Sequence, residues 1–343
     1  MSRDRPVQDG ASAAGLRPEI THDQRHSGDA RQHGSTGPES YTVTAGRVHT
    51  DGVEIVITHH CNLRCRACAY LSPIQSKVLA DPNRLGEDLA ALARSYHASE
   101  ARVLGGEPLL HPEITSVLAA IRASGVCDSV RVITNGLHLS RASTAFWDSV
   151  EAISVSVYPG REPSPETATA LARTALRHGV SLNFKRFDYF RQSYSEIGTS
   201  DGRLVRRIYD TCQMAHVWKC HTVWDGQLYR CPQSLFLPMA LDALDDTESI
   251  KIAADGAFLG RLLTFLRSPD PLPSCRYCLG SIGRLFANEQ TPRARWRDGQ
   301  RMPTEDLVDW SHLRHLETNP GMLVKDTSYL NEADPIAGVV VDP

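Results

Sequence analysis

From residue 52 to residue 187, short apolar runs alternate with stretches whose large side chains recur every three or four positions. Val53, Ile55, Val56 and Ile57 fill the first run and predict a strand over residues 53–58. Leu85, Leu89, Leu92 and Tyr96 then fall at helical spacing, and residues 101–104 form a second short strand. Pro112 opens the next helix, Ile114, Val117, Leu118 and Ile121 are its buried stripe, and Gly125 caps its end. The series continues as a strand over 130–134, a helix near 142–150 and a strand over 152–158. A helix begun by Ser164-Pro165-Glu166 and ended by Gly179 leads to a fifth strand over 180–187. Strands separated by single helices predict parallel βαβ units and an α/β fold.

Beyond Leu204 the rhythm breaks. Residues 221–230 read as a β-hairpin with Asp225-Gly226 at its turn, and residues 258–267 as an amphipathic helix. Residues 1–46 hold hardly a large apolar side chain and predict a disordered tail, because such a segment buries too little surface to offset its ordering entropy.

The chain has 343 residues, room for one large or two modest domains, with a formal charge of −3 and a pI near 6.5. That balance argues against nucleic acid as partner. No apolar run reaches the roughly 18 residues of a membrane helix, and the first residues do not read as a secretory signal. The expected compartment is the cytoplasm, where nine cysteines serve as ligands or reactive thiols in preference to disulfides.

Three of those cysteines, Cys61, Cys65 and Cys68, fall within eight residues, just after the first predicted strand. Zinc sites usually pair their cysteines, whereas a tight triplet suits a four-iron cluster that keeps one iron open. Half of a zinc site, or three unconnected cysteines, are the alternatives. With Asn62-Leu63 inside it, the triplet resembles the signature of the radical S-adenosylmethionine (SAM) enzymes. Gly105-Gly106-Glu107-Pro108, about forty residues on, is similar to that family's GGEP motif. One position departs from the pattern: Ala67 stands where the family usually carries an aromatic residue packed on the adenine, so that contact is expected from elsewhere.

The resemblance implies a partial (β/α)6 barrel over residues 47–205. Cys61, Cys65 and Cys68 would hold the SAM cluster, and Glu107 would accept from the SAM amino group. Gly105 and Gly106 would allow close backbone approach, with Pro108 completing the motif. Ser154, Ser156 and Asn135 are candidates near the ribose, although serines on a buried strand also satisfy themselves on backbone. In parallel sheets ligands bind beyond the carboxyl ends of the strands, where these motifs fall.

A hairpin flanked by cysteines, then a helix, then Cys275-Arg276-Tyr277-Cys278 resembles the twitch domain, the shortened relative of the SPASM domain, here expected over residues 206–290. The family's ligands for an auxiliary 4Fe–4S cluster would be Cys212, Cys231, Cys275 and Cys278, and a structural zinc is the alternative. Cys220 is left over, as a packed thiol or as a hydrogen-atom donor, while Cys127, on a connection, is structural. Two 4Fe–4S clusters and SAM are thus the implied cofactors, and flavodoxin or ferredoxin the implied reductant. The expected reaction is epimerisation of a carbinol centre in an aminoglycoside or aminocyclitol sugar with Cys220 as donor. The alternatives are dehydrogenation of the same substrate class and SPASM-type peptide modification. Trp224, Tyr229, Trp296 and Trp310 are read as core more readily than as stacking platforms. Residues 291–343 form an extension whose Arg295, Arg297, Glu305 and Asp306 read as a charged surface.

Overall fold

A computed structural model describes residues 41–242, 244, 248–319 and 340–341. The expected tail therefore lies outside the described residues up to residue 40, and most of the extension beyond residue 319 does so too.

The chain begins with the hairpin β1 (Thr42–Thr44) and β2 (Arg47–Thr58), so the ordered sheet starts before the expected boundary at residue 47. Then follow α1 (Pro82–Leu92), β3 (Tyr96–Gly105), α2 (Ile114–Ser124), β4 (Cys127–Thr134) and the short α3 (Thr144–Trp147). After these come β5 (Ala152–Val157), α4 (Pro165–His178), β6 (Ser181–Arg186) and β7 (Tyr189–Arg191). The second half holds α5 (Gly202–Asp210), α6 (Gln213–His216), β8 (Thr222–Trp224), β9 (Gln227–Tyr229) and α7 (Pro232–Ala240). Last are β10 (Ser249–Lys251), α8 (Phe258–Arg267), β11 (Leu285–Ala287), α9 (Thr304–Leu307), α10 (Trp310–Thr318) and β12 (Val340–Val341).

The predicted helices and strands recur with shifted ends. Ser164 caps α4 by accepting from the Thr167 amide, and Gly179 ends it at φ +64°, the left-handed cap a glycine adopts without strain. Tyr96 opens β3 and does not close α1. It is fully buried, and a residue buried from either element mimics helical spacing after Leu92. Cys127 lies at the start of β4, not on a connection.

Six strands run parallel in the order β8-β2-β3-β4-β5-β6, a mixed α/β sheet of the kind a partial radical SAM barrel contains. β8 is the unexpected member. It belongs to the predicted hairpin, yet it pairs with β2 through Glu54 opposite Thr222 and Ile55 opposite Val223. The expected boundary at residue 206 is therefore not a break in the sheet.

The two faces of the sheet differ. Ile55, Val103, Val132, Ile153 and Leu182 point outward and share one apolar core with the buried stripes of α1, α2, α4 and α8. Side chains alternate across a strand, so their neighbours point the other way. On that inner face Glu54 stands opposite Arg102, Arg102 opposite Arg131, and Ser156 opposite Lys185. Strands buried on both faces read as continuous apolar runs; these carry charged and hydroxyl side chains on their inner face.

Candidate active site

The inner face, the loop after β2 and the segments that follow β6 enclose a cavity of about 380 Å³. Cys61, Cys65 and Cys68 border it at the carboxyl end of β2, together with Gly105, Gly106 and Glu107. Burial pushes the Cys61 and Cys65 thiols up to about 12 and raises Cys68 as well, and each of the first two also feels the neighbouring thiols. Three thiols facing one space, Cys65 buried and Cys61 and Cys68 half-buried, become thiolates when cations hold them, so the donor set fits an iron cluster. Among the described residues, no three His, Cys, Asp or Glu side chains converge on one ion-sized point.

Gly105 and Gly106 have a structural reason different from the expected one. A Cβ on Gly105 would lie 2.2 Å from the Thr58 carbonyl oxygen, and one on Gly106 would lie 2.0 Å from that of His60. The backbone they bring close is the cluster loop itself: the Gly106 amide donates to Thr58 O at 2.7 Å, and the Glu107 amide to His60 O at 2.8 Å. Pro108 then starts a short 3-10 turn, Pro108–Leu110. The Glu107 carboxylate accepts from Thr134 Oγ1 at 2.5 Å and from the amides of Leu109 and Asn135 at 3.1 and 2.7 Å. Burial still holds its pKa above the ordinary carboxylate range. With three donors on two oxygens, lone pairs remain for a further donor in the cavity. Asn135 donates from Nδ2 to Asn62 Oδ1 at 2.7 Å, which ties the end of β4 to the cluster loop. Ser154 and Ser156 border the same cavity, and Ser154 accepts from Arg131 at 3.3 Å. Ala67 borders it too, and Tyr158 supplies an aromatic ring nearby, close enough that all three thiolates would raise its phenol pKa beyond what burial does.

The second group also assembles. Cys212, Cys231, Cys275 and Cys278 border one small space of about 30 Å³. Burial comes first in raising each of these thiols; repulsion from the neighbouring thiols adds to it at Cys212, Cys275 and Cys278, and from Glu248 at Cys231. Gln233 and Gly280 border both this space and the larger cavity, so one wall separates the four thiols from the cavity that the triplet borders.

Cys220 is elsewhere. It is buried, it does not border the cavity, and its thiol donates to Glu54, which does. The position expected of a hydrogen-atom donor is therefore held by a carboxylate, with Cys220 behind it. Glu54 also accepts from Tyr70 and Thr222 hydroxyls, each at 3.4 Å. Burial pushes its carboxyl up to about 7, with Arg102 and these donors opposing the rise. Arg102 and Arg131 are themselves bridged by Glu100, at 3.2 and 2.8 Å.

Glu54, Arg102, Arg131 and Lys185 went unrecognised in the sequence. Their signal was present: a charge at alternate positions of strands otherwise apolar. The C-terminal extension is also more than the charged surface expected. Trp296 Nε1 donates to the Cys65 carbonyl at 2.9 Å, Arg297 pairs with Glu196 at 2.7 Å, and Glu305 accepts from Thr199. Arg295 and Asp306 do remain on the surface. Trp224, Tyr229 and Trp296 are buried away from the cavity, and Trp310 sits under the Arg207 guanidinium. Among the described residues, no helix is long and apolar enough to cross a membrane.

Known proteins resemble part of this chain. A GTP 3',8-cyclase of Streptomyces coelicolor is 35% identical over 107 residues, which is 30% of each chain. Molybdenum cofactor biosynthesis protein 1 of Homo sapiens is 30% identical over 116 residues, 32% of this chain and 18% of its own. The chain thus spans less than a third of the length of these curated relatives. The crystal structure of BtrN in complex with AdoMet and 2-DOIA aligns over 53% of this chain and 73% of its own, at 13% identity and a TM-score of 0.35. Residues 55–181, which carry the cysteine triplet, the Gly-Gly-Glu-Pro turn and β2 to the start of β6, match the family described as Radical SAM superfamily. That segment is where the chain is similar to the Radical SAM superfamily.

Proposed function

We propose that the chain is a radical SAM dehydrogenase that oxidises a secondary alcohol of a small polyhydroxylated, sugar-like molecule to a ketone. One observation carries the reading: the triplet borders a cavity whose wall at Gln233 and Gly280 is shared with the four-thiol space. Cys61, Cys65 and Cys68 would hold one cluster, and Cys212, Cys231, Cys275 and Cys278 the other. When bound, the first group with SAM supplies the 5′-deoxyadenosyl radical that removes the carbinol hydrogen atom, and the second an acceptor for the electron left behind.

The chain's own side chains do the rest. Glu54 takes the hydroxyl proton, since a buried carboxylate titrating near 7 is matched to proton transfer at neutral pH. Arg102 and Arg131, fixed by Glu100, donate to substrate oxygens and hold the carbinol against Glu54. Glu107 and Asn135 receive the methionine end of SAM beside the triplet. Tyr158, Phe187 and Phe190 form a ring cluster that keeps water from the reacting carbon.

The epimerase reading keeps one point in its favour: Cys220 is hydrogen-bonded to Glu54, one side chain behind the wall. Anaerobic assay of the reconstituted chain with SAM, a flavodoxin or ferredoxin reductant and a panel of aminocyclitols separates the two. A dehydrogenase forms one 5′-deoxyadenosine per ketone. An epimerase leaves no ketone and incorporates solvent deuterium at the inverted carbon. GTP belongs in the same panel, because the curated relatives' names state its cyclisation; turnover of GTP alone would sink the alcohol reading.

A further inference from the structure

The cluster loop is braced by a segment more than 220 residues away. Cys65 and Gln290 form an antiparallel bridge, the Arg66 amide donates to Glu289 O at 2.8 Å, and the Thr291 amide donates to Arg64 O at 2.9 Å. Within this strap the Gln290 side chain, on an exposed residue, is bonded at both ends of its amide. Its Oε1 accepts from the Arg64 amide at 2.6 Å, and its Nε2 donates to Cys65 Sγ at 3.3 Å. Swapping the two ends would face one N–H with another, so the Arg64 amide decides which end meets the sulfur. The Trp296 indole holds the Cys65 carbonyl from the same stretch.

We infer that Gln290 is a positioning residue that sets the reduction potential of the SAM-cleaving cluster by donating an N–H to the Cys65 sulfur. The inference rests on the reading that Cys61, Cys65 and Cys68 hold that cluster. Reduction adds negative charge, which spreads onto the ligating sulfurs, and an N–H dipole aimed at one of them stabilises the reduced form. Gln290 thereby raises the potential and brings the cluster within reach of a protein reductant. The backbone bonds at Arg64, Arg66 and Thr291 and the Trp296 contact join strap and loop independently of the amide-to-sulfur bond, so position and tuning are separable. A substitution at residue 290 leaves the loop in place and changes the charge it meets.

The test is a redox titration of the anaerobically reconstituted full chain, read by electron paramagnetic resonance on the signal that changes when SAM is added. Gln290→Glu still accepts from the Arg64 amide but presents an anionic oxygen to the sulfur. At the wild-type midpoint its reduced-to-oxidised ratio falls about tenfold, equivalent to about 59 mV for a one-electron couple. Gln290→Leu removes the donor without adding charge and lowers the ratio by a smaller factor. Ratios within twofold of wild type in both variants overturn the inference. The wild type alone supplies a second readout should the variants fail to load. Its iron–thiolate Raman bands shift on exchange into D2O when an N–H bonds a cluster sulfur, and unshifted bands also overturn the inference. A wild-type chain that binds no iron at the triplet sinks the cluster reading itself, whereas bound iron with a potential indifferent to residue 290 sinks only the role of Gln290.

Discussion

The two thiol groups are built in opposite ways. Cys61, Cys65 and Cys68 come from one loop and open onto a cavity of about 380 Å³, whereas Cys212, Cys231, Cys275 and Cys278 come from three separate segments and close on about 30 Å³. A loop that offers three thiols to an open space leaves room for a small molecule at the metal. Four thiols around a space of about 30 Å³, the share of one water molecule, leave none and suit electron transfer. On the proposed function, binding and relay are divided by the size of these two spaces, and the wall at Gln233 and Gly280 is where an electron from the substrate would cross.

The largest effect that would break this contrast is loss of the open group. Cys65→Ala should abolish SAM cleavage and remove about four irons per chain, measured as 5′-deoxyadenosine formed and iron bound. Cleavage at the wild-type rate in that variant would overturn the assignment. Cys278→Ala should instead leave SAM cleavage measurable while ketone formation falls about a hundredfold or more, since four thiols grip the second group and three leave it labile. Equal loss of both products would mean that the two groups do not divide the work.

Glu54→Gln is expected to slow ketone formation by roughly 10²–10⁴, the usual contribution of a positioned base, with far less effect on 5′-deoxyadenosine formation. Because burial pushes the Glu54 carboxyl up to about 7, the wild-type rate should rise with pH through that value as the base ionises. The variant's profile should be flat there. Stability has the opposite sign. The folded state keeps this proton while the unfolded chain releases it near the ordinary value of 4.5, so stability falls as pH rises from there to about 7. Thermal melts of wild type and variant across that window check the direction. The smallest effect belongs to Cys220→Ala, which should leave ketone formation within about threefold of wild type, the cost of a small buried cavity and a lost donor to Glu54. A hundredfold loss would restore the thiol to the reaction and favour inversion.

How much was legible differs by region. The βαβ rhythm could be read because α2 and α4 carry their stripes and glycine caps within a dozen residues, and strand ends follow from the same local signals. The membership of β8 in the parallel sheet could not be read, since Thr222–Trp224 is a three-residue strand whose hairpin turn announces only its antiparallel partner. Its pairing with β2 is a contact between residues some 170 positions apart, and no local pattern encodes it. The polar inner face lay between these cases. Glu54, Arg102 and Arg131 stand out from their strands, but only the register of β2, β3 and β4 places them in one row.

By itself the sequence determined what is local in the chain: three thiols at a spacing that one loop presents together, and two glycines before Glu107 that let this turn approach Thr58 and His60. Tertiary structure alone decided which distant groups meet that loop. It set Gln290 on the Cys65 sulfur, Trp296 on its carbonyl, and Glu54 between Cys220 and the cavity. Short-range spacing follows from covalent geometry and is written in the chain, whereas long-range neighbours depend on how sheets register and cores close, and are known only when the chain has folded.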